Sequence, residues 1–214
     1  MLGALMTVKI VWFIQLVSVV FAQASADPSR LVGRWDSNDR SRGGLGVSLV
    51  LHEAAKCSKI TGAMLDGHWT LSGTSLTRTV PTGQGGSETQ KMSVSIQGNT
   101  MVQISDGERR TLKYVGGRAA NSQSINGIWS YPHDAGGVAY EDYEPDGRFL
   151  FRLPITTEAC SWKADGHHLR LTVGDVTTDF EFTVLDTNRL DLVHDGEHQA
   201  FHRESVILPS TAKF

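Results

Sequence analysis

The fold is decided by the stretch Trp162-Lys163-Ala164-Asp165-Gly166-His167-His168-Leu169-Arg170-Leu171-Thr172-Val173. Apolar residues alternate on both sides of Asp165-Gly166, a dipeptide that tolerates the positive φ angles of a type I′ hairpin turn. The pattern therefore predicts a β-hairpin. In this hairpin Trp162 is expected to lie opposite Leu169 on a buried face of the sheet.

The same pattern occurs a second time, 93 residues earlier and without a gap, in the stretch from Trp69 to Val80. Two further pairs of segments also match. A G-x-W motif is found at Gly33–Trp35 and again at Gly127–Trp129, and residues 99–108 match residues 188–197 around a shared Asp-Gly. Self-similarity at a nearly constant period indicates two copies of one structural unit.

Each copy contains about seven or eight short segments of period-two alternation, which is typical of one small closed antiparallel sheet. We therefore predict an all-β chain with two small antiparallel up-and-down barrels in tandem. The first barrel is expected at residues 30–117 and the second at 125–204, with a linker at 118–124 and a C-terminal tail at 205–214. A single large barrel built from both copies is the alternative architecture.

Residues 1–26 have the pattern of a cleaved secretory signal peptide. Lys9 precedes an apolar run from Ile10 to Ala22, and small residues ending at Ala26 form a typical cleavage site. The apolar run is too short to span a bilayer. The prediction is a periplasmic or secreted protein without a membrane span after cleavage, and Met6 is an alternative start.

The charge balance excludes some classes of partner. The remainder of the chain carries 19 basic and 23 acidic side chains, which gives a balance of −4 with histidine neutral. A protein that neutralises phosphates needs a basic surface, so nucleic acid and anionic membrane are not expected as partners.

Candidate chemical sites have ordinary structural explanations. His194, His198 and His202 would line one face of a helix, but Asp195-Gly196 predicts a hairpin that separates them. The acidic cluster between Glu141 and Asp146 matches no calcium-binding loop. The sequence contains no nucleophile elbow, P-loop or dinucleotide fingerprint. We therefore expect no metal, no cofactor and no enzymatic activity.

The two cysteines, Cys57 and Cys160, are predicted to lie in different units and at positions that are not equivalent in the repeat. Cys160 shares the inward face of Trp162, which is a poor position for a bond to another barrel. This reasoning favours two free buried thiols, and a disulfide in an oxidising compartment is the alternative.

Three features resemble the lipocalin-like, or calycin, group of β-barrels: the two G-x-W motifs, an Asp-Gly hairpin near the end, and the closing Phe201-His202-Arg203. In that group the opening Trp and a late Arg pack together at the closed end of the barrel. The resemblance therefore implies that Trp129 pairs with Arg203. It also gives Gly33, Trp35 and Gly127 structural roles.

The first copy departs from the pattern of that group. The position equivalent to Arg203 is Tyr114, which leaves the partner of Trp35 open among Arg109, Arg110 and Arg118.

The aromatic residues suggest a function. A barrel of about eight strands has an interior that side chains can fill or that can hold one small ligand. If there is a cavity, we expect it in the second copy, where aromatic residues concentrate, and the predicted ligand-binding residues are Phe149, Phe151, Trp162, Leu169, Phe182 and Phe201.

The leading hypothesis is an exported, non-enzymatic lipocalin-like protein that binds a small apolar or amphipathic ligand. The alternative is a protein-binding inhibitor of an extracytoplasmic hydrolase or an envelope structural protein, which would use an exposed loop such as Pro81–Gln90.

Overall fold

The computed structural model describes residues 27–82, 85–117 and 124–204. A short 3-10 turn (η1, Pro28–Leu31) precedes the strands. The strands are β1 (Gly33–Ser37), β2 (Leu45–Leu51), β3 (Lys56–Ser72), β4 (Ser75–Pro81), β5 (Ser87–Gln97), β6 (Thr100–Ser105), β7 (Glu108–Gly116), β8 (Gly127–Pro132), β9 (Val138–Tyr143), β10 (Arg148–Asp165), β11 (His168–Val173), β12 (Val176–Val184), β13 (Arg189–His194) and β14 (Glu197–Glu204). The prediction of an all-β antiparallel chain is confirmed. The predicted signal peptide, most of the predicted linker and the predicted tail lie outside the described residues.

The strands close into one antiparallel ring in which each strand pairs with its neighbours in the sequence and β1 pairs with β14. The long strands β3 and β10 also pair with each other, from Arg148 opposite His68 to Ser161 opposite Lys56. This pairing divides the ring. We call β3 to β10 the first circuit, and we call β10 to β14 with β1, β2 and β3 the second circuit.

The two sequence copies exchange strands. In the predicted tandem arrangement, the opening and closing strands of one copy would pair with each other. Instead, β1 of the first copy pairs with β14 of the second, and β7 pairs with β8 across the predicted linker. Strand pairing depends on contacts between distant parts of the chain, so a repeat pattern alone cannot determine which copy supplies the partner.

The hairpin at the centre of the sequence argument has a different register from the predicted one. Trp162 lies opposite Leu171, and Leu169 lies opposite Ala164. The two turn residues are Gly166 and His167, and Gly166 has a φ of 59°. A positive φ at the first central residue matches a type II′ turn, whereas the prediction placed Asp165-Gly166 at the centre of a type I′ turn.

A buried tryptophan closes one end of each circuit. The indole Nε1 of Trp35 donates to the Leu31 carbonyl at 2.7 Å, and Trp129 makes the same bond to Ile125 at 2.8 Å. The Arg203 guanidinium lies 4.1 Å above the Trp35 ring. The predicted pairing of Trp129 with Arg203 is therefore wrong, because β14 closes against β1.

The aromatic partner of Trp129 is Tyr114, with ring centroids 5.4 Å apart in an edge-to-face arrangement. Tyr114 was the position matched to Arg203 in the repeat. The structure thus gives Trp35 the partner that the sequence left open, which is Arg203 and neither Arg109 nor Arg110. The third candidate, Arg118, lies outside the described residues.

A disulfide joins Cys57 to Cys160, which contradicts the preference for two free thiols. The prediction assumed that the two cysteines lie in separate barrels. In the structure they stand directly opposite each other in the β3–β10 pairing, with Cα atoms 4.7 Å apart. The equivalent pair in the first circuit consists of Gly67, which matches Cys160, and Phe149, which matches Cys57.

Buried charges connect the outward faces of the two circuits. Asp36 on β1 accepts from Arg34 at 2.8 and 2.9 Å and from Arg152 on β10 at 2.8 Å. On the neighbouring strand β14, Glu204 accepts from Arg148 at 3.1 Å. Burial alone would raise the pKa of Asp36, but the two guanidinium groups lower it to about 2. The carboxylate therefore stays ionised inside the contact.

Candidate ligand cavity

A cavity of about 1250 Å³ occupies the interior of the first circuit and opens at one end of it. The turns at residues 105–108 and 132–138 and the start of β5 surround the mouth. The opposite end is closed by apolar residues, including Trp129, Leu112 and Met101. A volume of this size is above the range of about 300–1,000 Å³ that is usual for small-molecule pockets.

The floor of the cavity is a buried polar cluster centred on Glu141. Its carboxylate lies 2.8 Å from Arg78 Nη1, and it accepts hydrogen bonds from Gln103 Nε2 and from the Tyr143 hydroxyl, both at 2.7 Å. Gln103 Nε2 also donates to the Tyr143 oxygen at 3.0 Å, and Arg78 Nη2 donates to Gln90 at 2.9 Å. All four central residues are at least nine-tenths buried.

The surroundings fix the protonation states of Arg78, Tyr143 and the neighbouring Tyr131. Burial would lower the pKa of Arg78, but its contacts with Tyr143 and Glu141 raise it above its ordinary value. Burial and the nearby Glu141 raise the pKa of Tyr143 well above its usual range, and they raise that of Tyr131 to about 12. Arg78 is therefore a permanent cation, and both phenols keep their protons at physiological pH.

Three polar side-chain atoms of the floor have no hydrogen-bond partner in the described part of the chain. They are Arg78 Nε, a donor, and two acceptors, Gln103 Oε1 and Glu141 Oε1, and all three residues line the cavity. The Glu141 oxygen is the one that lies 2.8 Å from Arg78 Nη1 as an ion pair. Native proteins satisfy most of their buried polar groups, so these atoms are exceptions. They have almost no solvent-accessible surface, so a molecule in the cavity as it stands does not contact them.

The second circuit provides an internal comparison for this cluster. Equivalent positions are those that lie opposite matched residues in the two circuits. The matched tryptophans give the equivalents of Arg78 and Glu141, the glycine of the matched G-x-W motifs gives that of Tyr143, and the matched hairpins β6–β7 and β13–β14 give that of Gln103. All four equivalents are buried leucines: Leu171 for Arg78, Leu192 for Gln103, Leu49 for Glu141 and Leu51 for Tyr143. The same framework is therefore compatible with an apolar interior, and the polar floor is not a requirement of the fold.

The wall of the cavity combines a cation with aromatic rings. The Arg110 guanidinium carbon lies 4.5 Å from the centre of the Tyr131 ring, and its Nη1 is 3.8 Å from the Glu141 carboxylate. His133 lies beside both Tyr131 and Phe151, with ring centroids 6.1 and 6.0 Å apart. Such a wall offers stacking surfaces together with a positive charge.

The rim carries charges of both signs. Its basic residues are Lys91 and Arg109, and its acidic residues are Glu88, Asp106, Glu108 and Asp134.

The predicted ligand-binding residues divide between the two circuits. Phe149 and Phe151 line the cavity, and the Arg78 guanidinium carbon is 4.9 Å from the centre of the Phe149 ring. The other four belong to the apolar core of the second circuit, which they help to fill: Trp162, Leu169, Phe182 and Phe201. The large cavity thus lies in the circuit built mainly from the first copy, and the second copy contributes aromatic residues to it from β8 and β10, including Phe149 and Phe151.

Asp36, His202 and Glu204 bring three ligand-type atoms within 4.8 Å of one another. Both oxygens of Asp36 already accept from arginines, and Ser48 donates to one of them at 2.6 Å. A cation would therefore have to displace two guanidinium groups, so the donor set does not suit a metal. The exposed His198 pairs with Asp191 at 2.9 Å.

Sequence reasoning missed Arg78, Gln103, Glu141, Tyr143 and Arg110. One signal could have identified part of the cluster. Arg78 alternates with Leu76 and Val80 in the repeated hairpin, so it faces inward at a position where the second copy has Leu171. A charged residue on an inward face is a sign of a functional interior when the equivalent position in the other copy is apolar.

Comparisons with known proteins do not identify the chain: no family model, no curated protein and no solved structure matches it. Within residues 27–82, 85–117 and 124–204, no helix has the length and apolar character needed to cross a membrane.

Proposed function

We propose that the chain is an exported, lipocalin-like binding protein that holds a small amphipathic molecule in the cavity of the first circuit, with each circuit acting as one small barrel. The observation that carries the proposal is the polar cluster of Arg78, Gln103, Glu141 and Tyr143 at positions where the second circuit has leucines. Burying an ion pair seldom adds stability over well-packed apolar residues. Ligand recognition gives the cluster a role.

The mixed lining supports an amphipathic ligand over a purely apolar one. A hydrocarbon would leave the accessible polar groups of the lining, such as the Arg110 guanidinium, without hydrogen-bond partners, which is unfavourable. A fully hydrophilic molecule would lose hydrogen bonds to water where it lies against the apolar wall of Phe149, Phe151 and Leu65. A ligand with one polar end and one apolar or aromatic body satisfies both surfaces.

Export is supported by two independent features. The leader-like pattern of residues 1–26 is typical of secretion. The Cys57–Cys160 disulfide is of a kind that persists mainly in oxidising compartments.

The proposal is tested by titration with N-phenyl-1-naphthylamine, a neutral dye whose fluorescence increases in an apolar environment. We expect saturable binding of one dye per chain. Ser105 lines the mouth, so Ser105→Trp is expected to block the cavity and abolish binding.

His194 occupies the equivalent position in the second circuit and is exposed, so His194→Trp is the matched control and is expected to bind like the wild type. Absence of saturable binding, or equal binding by Ser105→Trp, contradicts the proposal. If saturable binding is found, native mass spectrometry of the protein purified from its own source would identify the natural ligand.

A further inference from the structure

Arg110 is a guanidinium on the cavity wall that combines exposure with an incomplete set of partners. Its side chain is 41% exposed, and its nearest carboxylate oxygen, on Glu141, lies 3.8 Å away, which is too far for a hydrogen bond. Among the described residues, no hydrogen bond from its guanidinium N–H groups is found. Its contact with the Tyr131 ring holds the planar group in place without using those donors.

The charge at the floor favours an anion. Arg78 and Arg110 carry two positive charges, and Glu141 supplies one negative charge that already interacts with Arg78 at 2.8 Å. The floor therefore carries one uncompensated positive charge inside a cavity, where screening by water is weaker than at the surface. The equivalent position of Arg110 in the second circuit is Gln199, which is neutral.

Hydrogen-bond donors beside the floor suit the same ligand. The Tyr131 phenol keeps its proton and can donate it, and the neighbouring Arg110 guanidinium has N–H groups exposed to the cavity. A carboxylate or sulfonate accepts several hydrogen bonds at once, and a bond from a guanidinium to such a group is about twice as strong as one between neutral groups. The acidic residues at the rim, such as Glu108 and Asp134, would disfavour molecules that carry several negative charges.

We propose that the cavity selects amphipathic ligands with a single anionic group, and that Arg110 contacts this group. This inference rests on the proposed ligand-binding function and adds the chemical class of the ligand. The apolar body of the ligand packs against Phe151 and Leu65, and its anionic end points toward the floor.

The test compares two dyes that share an aromatic body. 8-Anilinonaphthalene-1-sulfonate carries one sulfonate, and N-phenyl-1-naphthylamine is its uncharged counterpart. With the wild-type protein we expect the sulfonate to bind at least about tenfold more tightly, the effect of one charge-assisted hydrogen bond. Arg110→Gln is expected to reduce this preference to about twofold or less while the neutral dye binds as before, and Arg110→Lys is expected to retain part of it.

Arg170→Gln is the matched control, because Arg170 is 60% exposed on the second circuit and pairs with Asp179; it should leave both affinities unchanged. Equal binding of the two dyes by the wild type would overturn the anion preference but leave the ligand-binding function intact. A preference that persists in Arg110→Gln would overturn the role of Arg110. If neither dye binds, the proposed function fails and this inference fails with it.

Discussion

The polar cluster of the cavity floor leads to an unusual expectation for stability. Removing one member should be strongly destabilising, and removing all of its polar groups together should not be. Glu141→Leu leaves the buried Arg78 without its carboxylate, and loss of one partner from a buried ion pair costs about 3–5 kcal/mol of unfolding free energy. The wild-type cluster avoids this penalty only because the buried Arg78 and Glu141 neutralise each other.

The fourfold variant Arg78→Leu, Gln103→Leu, Glu141→Leu and Tyr143→Phe removes the whole network. We expect it to unfold with a free energy equal to that of the wild type or higher by about 1–4 kcal/mol, as found when buried ion pairs are replaced by apolar residues. The leucines of the second circuit show that the framework accepts apolar side chains at these positions. Phenylalanine at 143 keeps the ring that packs against Trp69, with centroids 5.7 Å apart.

Urea unfolding followed by far-ultraviolet circular dichroism at pH 7, with the disulfide intact, measures both free energies. The fourfold variant should be more stable than Glu141→Leu by at least about 3 kcal/mol. If the fourfold variant is as unstable as Glu141→Leu, the cluster is a structural element of the fold, and the argument for a binding role is refuted. Leu171→Ala, at the position equivalent to Arg78, controls for ordinary core damage and should cost about 2–5 kcal/mol.

Two further predictions concern the contact between the circuits. Burial, followed by the nearby Glu144 and Glu204, raises the pKa of Asp142 from 3.8 to about 6. Between these two values the folded chain holds a proton that the unfolded chain has released, so this residue makes stability fall as the pH rises from 4 to 6. Asp142→Asn should therefore stabilise the protein by up to about 3 kcal/mol at pH 8 and by almost nothing at pH 4. Urea unfolding of the variant and the wild type at both pH values measures this effect. A difference in unfolding free energy that is the same at both pH values would contradict the prediction. The second prediction concerns the double variant Cys57→Ala, Cys160→Ala. Its unfolding free energy should be lower by about 3–5 kcal/mol, because the disulfide closes a loop with a sequence separation of 103 residues. A loss below about 1 kcal/mol in the same assay would show that strand pairing alone holds β3 and β10 together.

Local patterns predicted the strands and their inward faces well. Alternation placed Trp69, Leu76, Trp162 and Leu169 inside, and all four belong to or pack against the apolar cores. These assignments rest on the period of two along a strand, which short stretches of sequence contain directly.

The cavity floor could not be predicted in the same way. It combines β4, β6 and β9, and β9 comes from the other sequence copy. Glu141 lies 38 residues from Gln103, whose amide it accepts from at 2.7 Å. Only the exchange of strands between the copies brings these side chains together.

The length of β3 and β10 gives a physical reason for the exchange. They contain 17 and 18 residues, whereas strands of a small barrel have about five or six. At about 3.3 Å per residue, each extends well past one circuit and can border both. Gly62 marks the crossing, because a Cβ atom there would lie 2.2 Å from the Leu153 carbonyl oxygen. A side chain at this position would separate the two strands.

Sharing these two strands also explains how one circuit can keep a polar cavity. β3 and β10 carry Leu65, Phe149 and Phe151 in the cavity wall, and further along they carry Cys57 and Cys160 in the second circuit. The apolar core and the disulfide of the second circuit therefore hold two walls of the cavity in position. The first circuit does not need a filled interior to keep its shape, so its interior can contain the polar groups and the space that a ligand requires.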